Sequence, residues 1–159
     1  MENLVYAIVL LPLIGFVING LFGKRLPKAL VGGLATLVVF AAFLISVSIF
    51  IGFPADGTPV IVKAFEWFTI GGIQVNFGFQ IDQLSLMMMM IVTGIGSLIH
   101  LYSIGYMSHD KGFYKFFTYL NLFIFSMLLL VMGSNYLILF IGWEGVGLCS
   151  YLLIGFWYE

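Results

Sequence analysis

Glu144 sits in Phe140–Leu153, FIGWEGVGLCSYLL, where every other side chain is apolar, small or hydroxyl-bearing. An ionised carboxylate at the centre of a bilayer costs about 2.5–3.5 kcal/mol on insertion scales, so such residues face a protein interior or a wet cavity. Desolvation raises the proton affinity of a buried acid, and a nearby cation lowers it. A carboxylate whose cation can move is therefore the basic element of a proton relay. That reading outweighs an inert, hydrogen-bonded acid. Gly142, Gly145, Gly147, Cys149 and Ser150 around it are small enough to let helix backbones approach closely, which predicts an inward-facing Glu144.

His100 closes the stretch Thr93–His100, TGIGSLIH. An imidazole there can relay protons or simply hydrogen-bond another helix, and the residues leave both readings open. Asp82 precedes an apolar run and reads first as a helix N-cap, with proton entry as the lesser alternative. Cys149, the single cysteine, is a small packing residue, and alone it excludes an internal disulfide and a four-thiolate iron–sulfur site. Met87–Met90 are consecutive, so they point around a helix rather than converging on a metal. The spacing argues against a haem between His100 and His109, because nine helical residues rise about 13.5 Å. Asn121 and Asn135 read as interhelical or helix-end hydrogen bonders, and His109, Asp110, Lys111 and Lys115 as solvated loop charges. The chain has no phosphate loop, dinucleotide fingerprint or zinc spacing.

The elements that must position these residues follow from composition. The chain is 62% hydrophobic and 8% charged, with a mean hydropathy of +1.16, which places it in the membrane class. A net charge of −1 without a basic stripe argues against nucleic acid. A span needs about 20 apolar residues, and five runs qualify: 4–22, 29–53, 84–107, 112–132 and 136–158. The first is read as a retained helix rather than a signal peptide, since it starts acidic and no small-residue cleavage site follows. Pro12 should kink it modestly. Lys24, Arg25, Lys28, Lys111 and Lys115 flank the first and third loops, and only Lys63 falls in the second. The basic loops are therefore expected in the cytoplasm or organelle matrix, with the N-terminus outside. Within the outer segment, Gly71-Gly72 precedes an alternation of Ile73, Val75, Phe77, Phe79 and Ile81 with polar residues or glycine. This predicts a β-hairpin over about 65–81, its apolar face packed on helix ends or on a neighbouring subunit. The expected fold is all-α and integral to the membrane, one domain over 1–159, with five transmembrane helices and a hairpin between the second and third.

Three stretches carry a family resemblance. Gly142–Trp157, GWEGVGLCSYLLIGFW, resembles the fifth helix of the antiporter-like L-type subunits of proton-translocating NADH:quinone oxidoreductase, respiratory complex I. Ile81–Ser85, IDQLS, and Val92–Met107, VTGIGSLIHLYSIGYM, resemble the third helix, and the likeness extends over the whole chain. It implies that Glu144 is the key glutamate of a proton path, paired with a lysine on a broken seventh helix. It also implies family positions for His100 and Asp82, with His100 the more functional, and a hairpin that links neighbouring antiporter-like subunits. Family members are several times longer and contain two inverted five-helix repeats, so the chain is expected to be the N-terminal part of such a subunit. It holds the first two helices of one repeat.

The implied function is coupling of electron transfer from NADH to quinone with proton translocation. No redox catalysis, cofactor or metal is expected on this chain. NADH, FMN, iron–sulfur clusters and quinone belong to other subunits. The implied partners are other membrane subunits of the complex and the lipid bilayer, in a bacterial inner membrane or, alternatively, a mitochondrial one. A multi-subunit sodium/proton antiporter and a non-transporting scaffold are the rival readings.

Overall fold

The computed structural model describes residues 2–54 and 56–157. The element order is α1 (Glu2–Phe22), α2 (Lys28–Ile51), β1 (Val60–Ile70), β2 (Ile73–Ile81), α3 (Gln83–Tyr106), α4 (Phe113–Met132) and α5 (Tyr136–Ile154). All five helices are long and apolar enough to cross a membrane. The fold is that of an integral, multi-pass membrane protein with a two-stranded antiparallel hairpin between α2 and α3. Helix ends agree with the expected spans to within a few residues, except at α5. That helix stops at Ile154, where Gly155 takes the C-cap; its expected end at Tyr158 lies outside the described residues.

Pro12 is accommodated inside a continuous α1. α1 packs on α2 and α4, α2 on α3, and α5 almost entirely on α4. A core of Val5, Ile8, Val39, Ala42, Met89 and Leu128 fills the half of the bundle nearer the hairpin, continuous with Val62, Phe79 and Ile81 at the hairpin base. A second cluster of Val31, Ala35, Met107, Phe113 and Phe117 closes the opposite, basic end. There Lys28 Nζ donates to the carbonyls of Ser108 (2.7 Å) and Asp110 (2.9 Å), stitching the start of α2 to the α3–α4 loop.

Asp110 is more than the solvated charge expected from the sequence. Its carboxylate accepts from Trp157 Nε1 at 2.8 Å and from the Gly112 amide at 2.6 Å. These bonds, the indole's foremost, hold its pKa below the usual carboxylate range. Lys28 adds a smaller electrostatic contribution in the same direction.

The hairpin turns where expected. Gly71 and Gly72 both have positive φ, 57° and 85°, the left-handed conformation that a tight primed turn requires and that a Cβ disfavours. Its first strand, however, starts at Val60 rather than near residue 65. Register shifts between Lys63 and Phe65 and between Glu66 and Phe68 interrupt the alternation, which hides the strand from a period-two reading. The base packs within the chain: Phe79 lies edge-on to Tyr6 of α1, and Ser134 N–H donates to the Gly78 carbonyl. Farther out, Phe65, Trp67, Phe68 and Ile70 remain exposed.

Candidate functional site

Three helices, α3, α4 and α5, position the candidate residues, and they divide them into three places. On α5, Gly142, Gly145 and Cys149 recur at three and four residues and so share one stripe. A Cβ at Gly142 would collide with the backbone of Leu130 on α4, and one at Gly145 would come within 2.5 Å of Ser126 Oγ. These small residues let α5 lie close against α4, the close approach expected of them.

Glu144 does not share that stripe. At 3.6 residues per turn it stands about 200° round the helix from Gly142, and it is exposed. The expectation of an inward-facing acid is therefore corrected. The small residues face α4, and Glu144 projects from the opposite side of α5, next to exposed Trp143 and Leu148. Among the described residues no hydrogen bond or ion pair reaches its carboxylate. It lies about 12 Å along α5 from Tyr136 and at the middle of the helix.

His100 is the opposite case. It is 1% exposed, packed against Phe117 of α4 with ring centroids 6.1 Å apart. Nδ1 lies 2.7 Å from the Gly96 carbonyl, one turn back on α3, and Nε2 lies 3.0 Å from Asn121 Oδ1 on α4. Asn121 is thus the interhelical hydrogen bonder the sequence suggested, but its pairing with His100 was not foreseen. No spacing rule links residues on separate helices. Thr93 and Ser97 spend their hydroxyls on their own helix, donating to the carbonyls of Met89 and Gly94. They do not extend a polar chain.

Asp82 caps α3. Its Oδ1 accepts from the Ser85 amide at 2.8 Å, and Ser85 Oγ accepts in return from the Asp82 amide at 2.7 Å, a reciprocal capping box. The Ser85 N–H is the main cause that holds the carboxyl below its usual range, with help from Gln80 and against partial burial. Asn135 caps α5 in the same manner, accepting from the amides of Leu137 and Ile138. Its Nδ2 donates to the Asn76 carbonyl on the hairpin at 2.7 Å.

Cys149 is buried in the α4–α5 seam, and Met87 to Met90 range from exposed to fully buried, pointing in different directions as expected. His109, Lys111 and Lys115 line an open cavity at the basic end, apart from His100. Among the described residues no group of three histidine, cysteine or acidic side chains could hold a metal ion. α4 packs on both α3 and α5. The structure therefore joins His100 to Asn121 and leaves Glu144 and Asp82 each alone, on other faces of the bundle.

Residues 67–117 match the family described as NADH-ubiquinone oxidoreductase (complex I), chain 5 N-terminus. NADH-quinone oxidoreductase subunit L of Rickettsia felis is 46% identical over 158 residues, covering 99% of this chain and 24% of that protein. The protein of the same name from Mycobacterium tuberculosis is 48% identical over 157 residues, covering 97% of this chain and 25% of its own length. Among solved structures, a chain of the Mrp complex from Dietzia sp. DQ12-45-1b superposes with a TM-score of 0.74 at 26% identity, over 96% of this chain and 16% of that one. The chain thus spans about a quarter of the length of the curated relatives it matches. Over almost its whole length the chain is similar to part of NADH-quinone oxidoreductase subunit L, and its residues 67–117 match the chain 5 N-terminus of complex I.

Proposed function

We propose that the chain contributes to proton translocation as part of a membrane subunit of NADH:quinone oxidoreductase, driven by electron transfer from NADH to quinone on other subunits. The observation that carries this reading is Glu144, a carboxylate at mid-helix on an otherwise apolar span, exposed and without a partner among the described residues. In hydrocarbon such a group is stable only when neutral or when a cation or water meets it. The lysines of these helices, Lys28 and Lys115, stand in the first turns of α2 and α4. The counter-charge must therefore come from a group packed on the outer face of α5. A cation that approaches would release the Glu144 proton, and one that withdraws would let it return.

His100 is the second relay residue in this reading, and Asp82 anchors α3 rather than carrying protons. The redox groups (FMN, iron–sulfur clusters, NADH and quinone) reside on other subunits, and this chain does no redox chemistry. The exposed outer part of the hairpin would rest on a neighbouring antiporter-like subunit. Lysines and an arginine gathered at one end of the bundle support placing that end in the cytoplasm of a bacterial cell, with the hairpin outside.

The likeness to a chain of the Mrp complex favours a second reading, a subunit of a multi-subunit sodium/proton antiporter. One experiment separates the readings. Glu144→Gln is made in the complete complex, assembled in sealed vesicles, and proton uptake is followed on addition of NADH. Uptake falling more than tenfold with assembly intact supports the proposal. Undiminished uptake defeats it, and sodium-dependent proton exchange without NADH favours the antiporter.

A further inference from the structure

Both ring nitrogens of His100 face oxygen. The Gly96 carbonyl, 2.7 Å from Nδ1, can only accept, so Nδ1 carries a hydrogen whatever the charge of the ring. In a neutral ring Nε2 is then a bare lone pair, which has no favourable contact with the amide oxygen of Asn121, 3.0 Å away. Nε2 opposite Oδ1 is the arrangement of the imidazolium. A neutral ring requires the Asn121 amide turned over, with Nδ2 donating to Nε2. The two amide orientations occupy nearly the same space, so the hydrogen-bonding groups on either side select between them, and on this side the selector is the Nε2 proton.

The far side of the amide is also specified. Asn121 Nδ2 and Asn19 Oδ1 are both buried and have no hydrogen-bond partner. A Cβ on Gly15 of α1 would stand 2.5 Å from Asn121 Nδ2, so this nitrogen points at α1. Asn19 lies one turn further along the same face of that helix. It is held there by its own Nδ2, which donates to the Val31 carbonyl of α2 at 3.3 Å. No hydrogen bond joins the two groups, but with the charged ring the amide turns a donor towards the helix that carries this lone acceptor, whereas the turned amide presents oxygen to that helix.

We infer that Asn121 is a positioning residue whose side-chain amide reverses as His100 Nε2 gains or loses its proton, so that the charge of α3 is read by Asn19 on α1. This deepens the reading of His100 as a relay residue and rests on it. The proton enters or leaves at Nε2 while Nδ1–H stays on the Gly96 carbonyl. Few other groups compete for control of the ring. α1, α2 and α4 carry one charged residue each among the described residues, Glu2, Lys28 and Lys115, all in their first turns. The titratable tyrosines of the neighbouring elements, Tyr6, Tyr102, Tyr106, Tyr114 and Tyr119, make no hydrogen bond to it.

The test is magic-angle-spinning NMR of the subunit in its assembled complex in lipid, with the histidines and asparagines of this chain labelled with nitrogen-15. His109→Gln identifies the His109 signal. At high pH a coupling between Asn121 Nδ2 and His100 Nε2 is expected, and it should vanish in the same step that protonates Nε2. Asn121→Asp, a fixed acceptor, should raise the midpoint of His100 by about one pH unit or more. Asn121→Leu, which removes the partner of the charged ring, should lower it. Opposite shifts show that residue 121 meets Nε2, and the signature of reversal is the wild-type coupling that is present with the neutral ring and lost when Nε2 is protonated. If the leucine variant does not assemble, the wild-type coupling and the aspartate variant decide. A coupling unchanged across the titration, shifts of the same sign, or a ring that keeps one charge from about pH 4 to about pH 9 would overturn the inference. Should the amide stay fixed while Glu144→Gln still abolishes proton uptake, this inference alone fails and the translocation reading survives.

Discussion

His100 and Glu144 are ionisable residues set within the spans, and the bundle treats them in opposite ways. His100 is enclosed and oriented on both nitrogens by groups this chain supplies. Glu144 lies on the open face of α5, with α4, the helix on which α5 packs most closely among the described residues, behind it. An enclosed group has its protonation set by a fixed environment, and a group on an open face has it set by whatever arrives. The contrast separates a residue whose surroundings are complete within five helices from one that is finished by other chain segments or subunits.

Substitutions sharpen this contrast. The largest effect should come from Gly142→Leu, whose side chain would be driven into the backbone of Leu130 and split the α4–α5 seam. A loss of about 3 kcal/mol is expected from such overpacking, seen as a lower unfolding midpoint in detergent. Retained stability would mean that α5 is not seated by its small residues. Next comes His100→Leu, which strands the buried Asn121 Oδ1 and should cost about 1–3 kcal/mol. Glu144→Gln, tested the same way, should stay within about 0.5 kcal/mol, because nothing in the bundle holds that carboxylate. Equal destabilisation by the two would erase the distinction between the sites.

Asp82→Ala removes the α3 cap and should cost about 1 kcal/mol. Because hydrogen bonds lower its folded pKa, the Asp82 contribution is complete above the unfolded value. It fades as pH falls through the folded one. The stability gap between wild type and Asp82→Ala should therefore narrow in acid; a gap that widened would contradict the capping geometry.

The sequence disclosed some of this architecture and concealed the rest for identifiable reasons. Helix spans were legible because apolar length is a local property, and the Gly71-Gly72 turn because only glycine readily takes positive φ at both sites. Asp82 and Asn135 announced themselves as caps by residue type and position. The facing of Glu144 was misjudged, since α5 is apolar on all sides and offers no polar stripe from which to read a direction. The clue was the three-and-four spacing of Gly142, Gly145 and Cys149, from which Glu144 is offset. Asn121 was recognised as a hydrogen bonder, but its partner emerged only when α3 and α4 were set side by side. Strand β1 was read short because its bulges break the alternation that marks a strand.

Asn135 carries a mechanical consequence. One side chain both closes the first turn of α5 and grips the hairpin through Asn76. The hairpin base and the root of the Glu144 helix are thereby a single joint. A pull on the ribbon is delivered to the first turn of the helix that carries the glutamate, and lifting the ribbon away breaks that link.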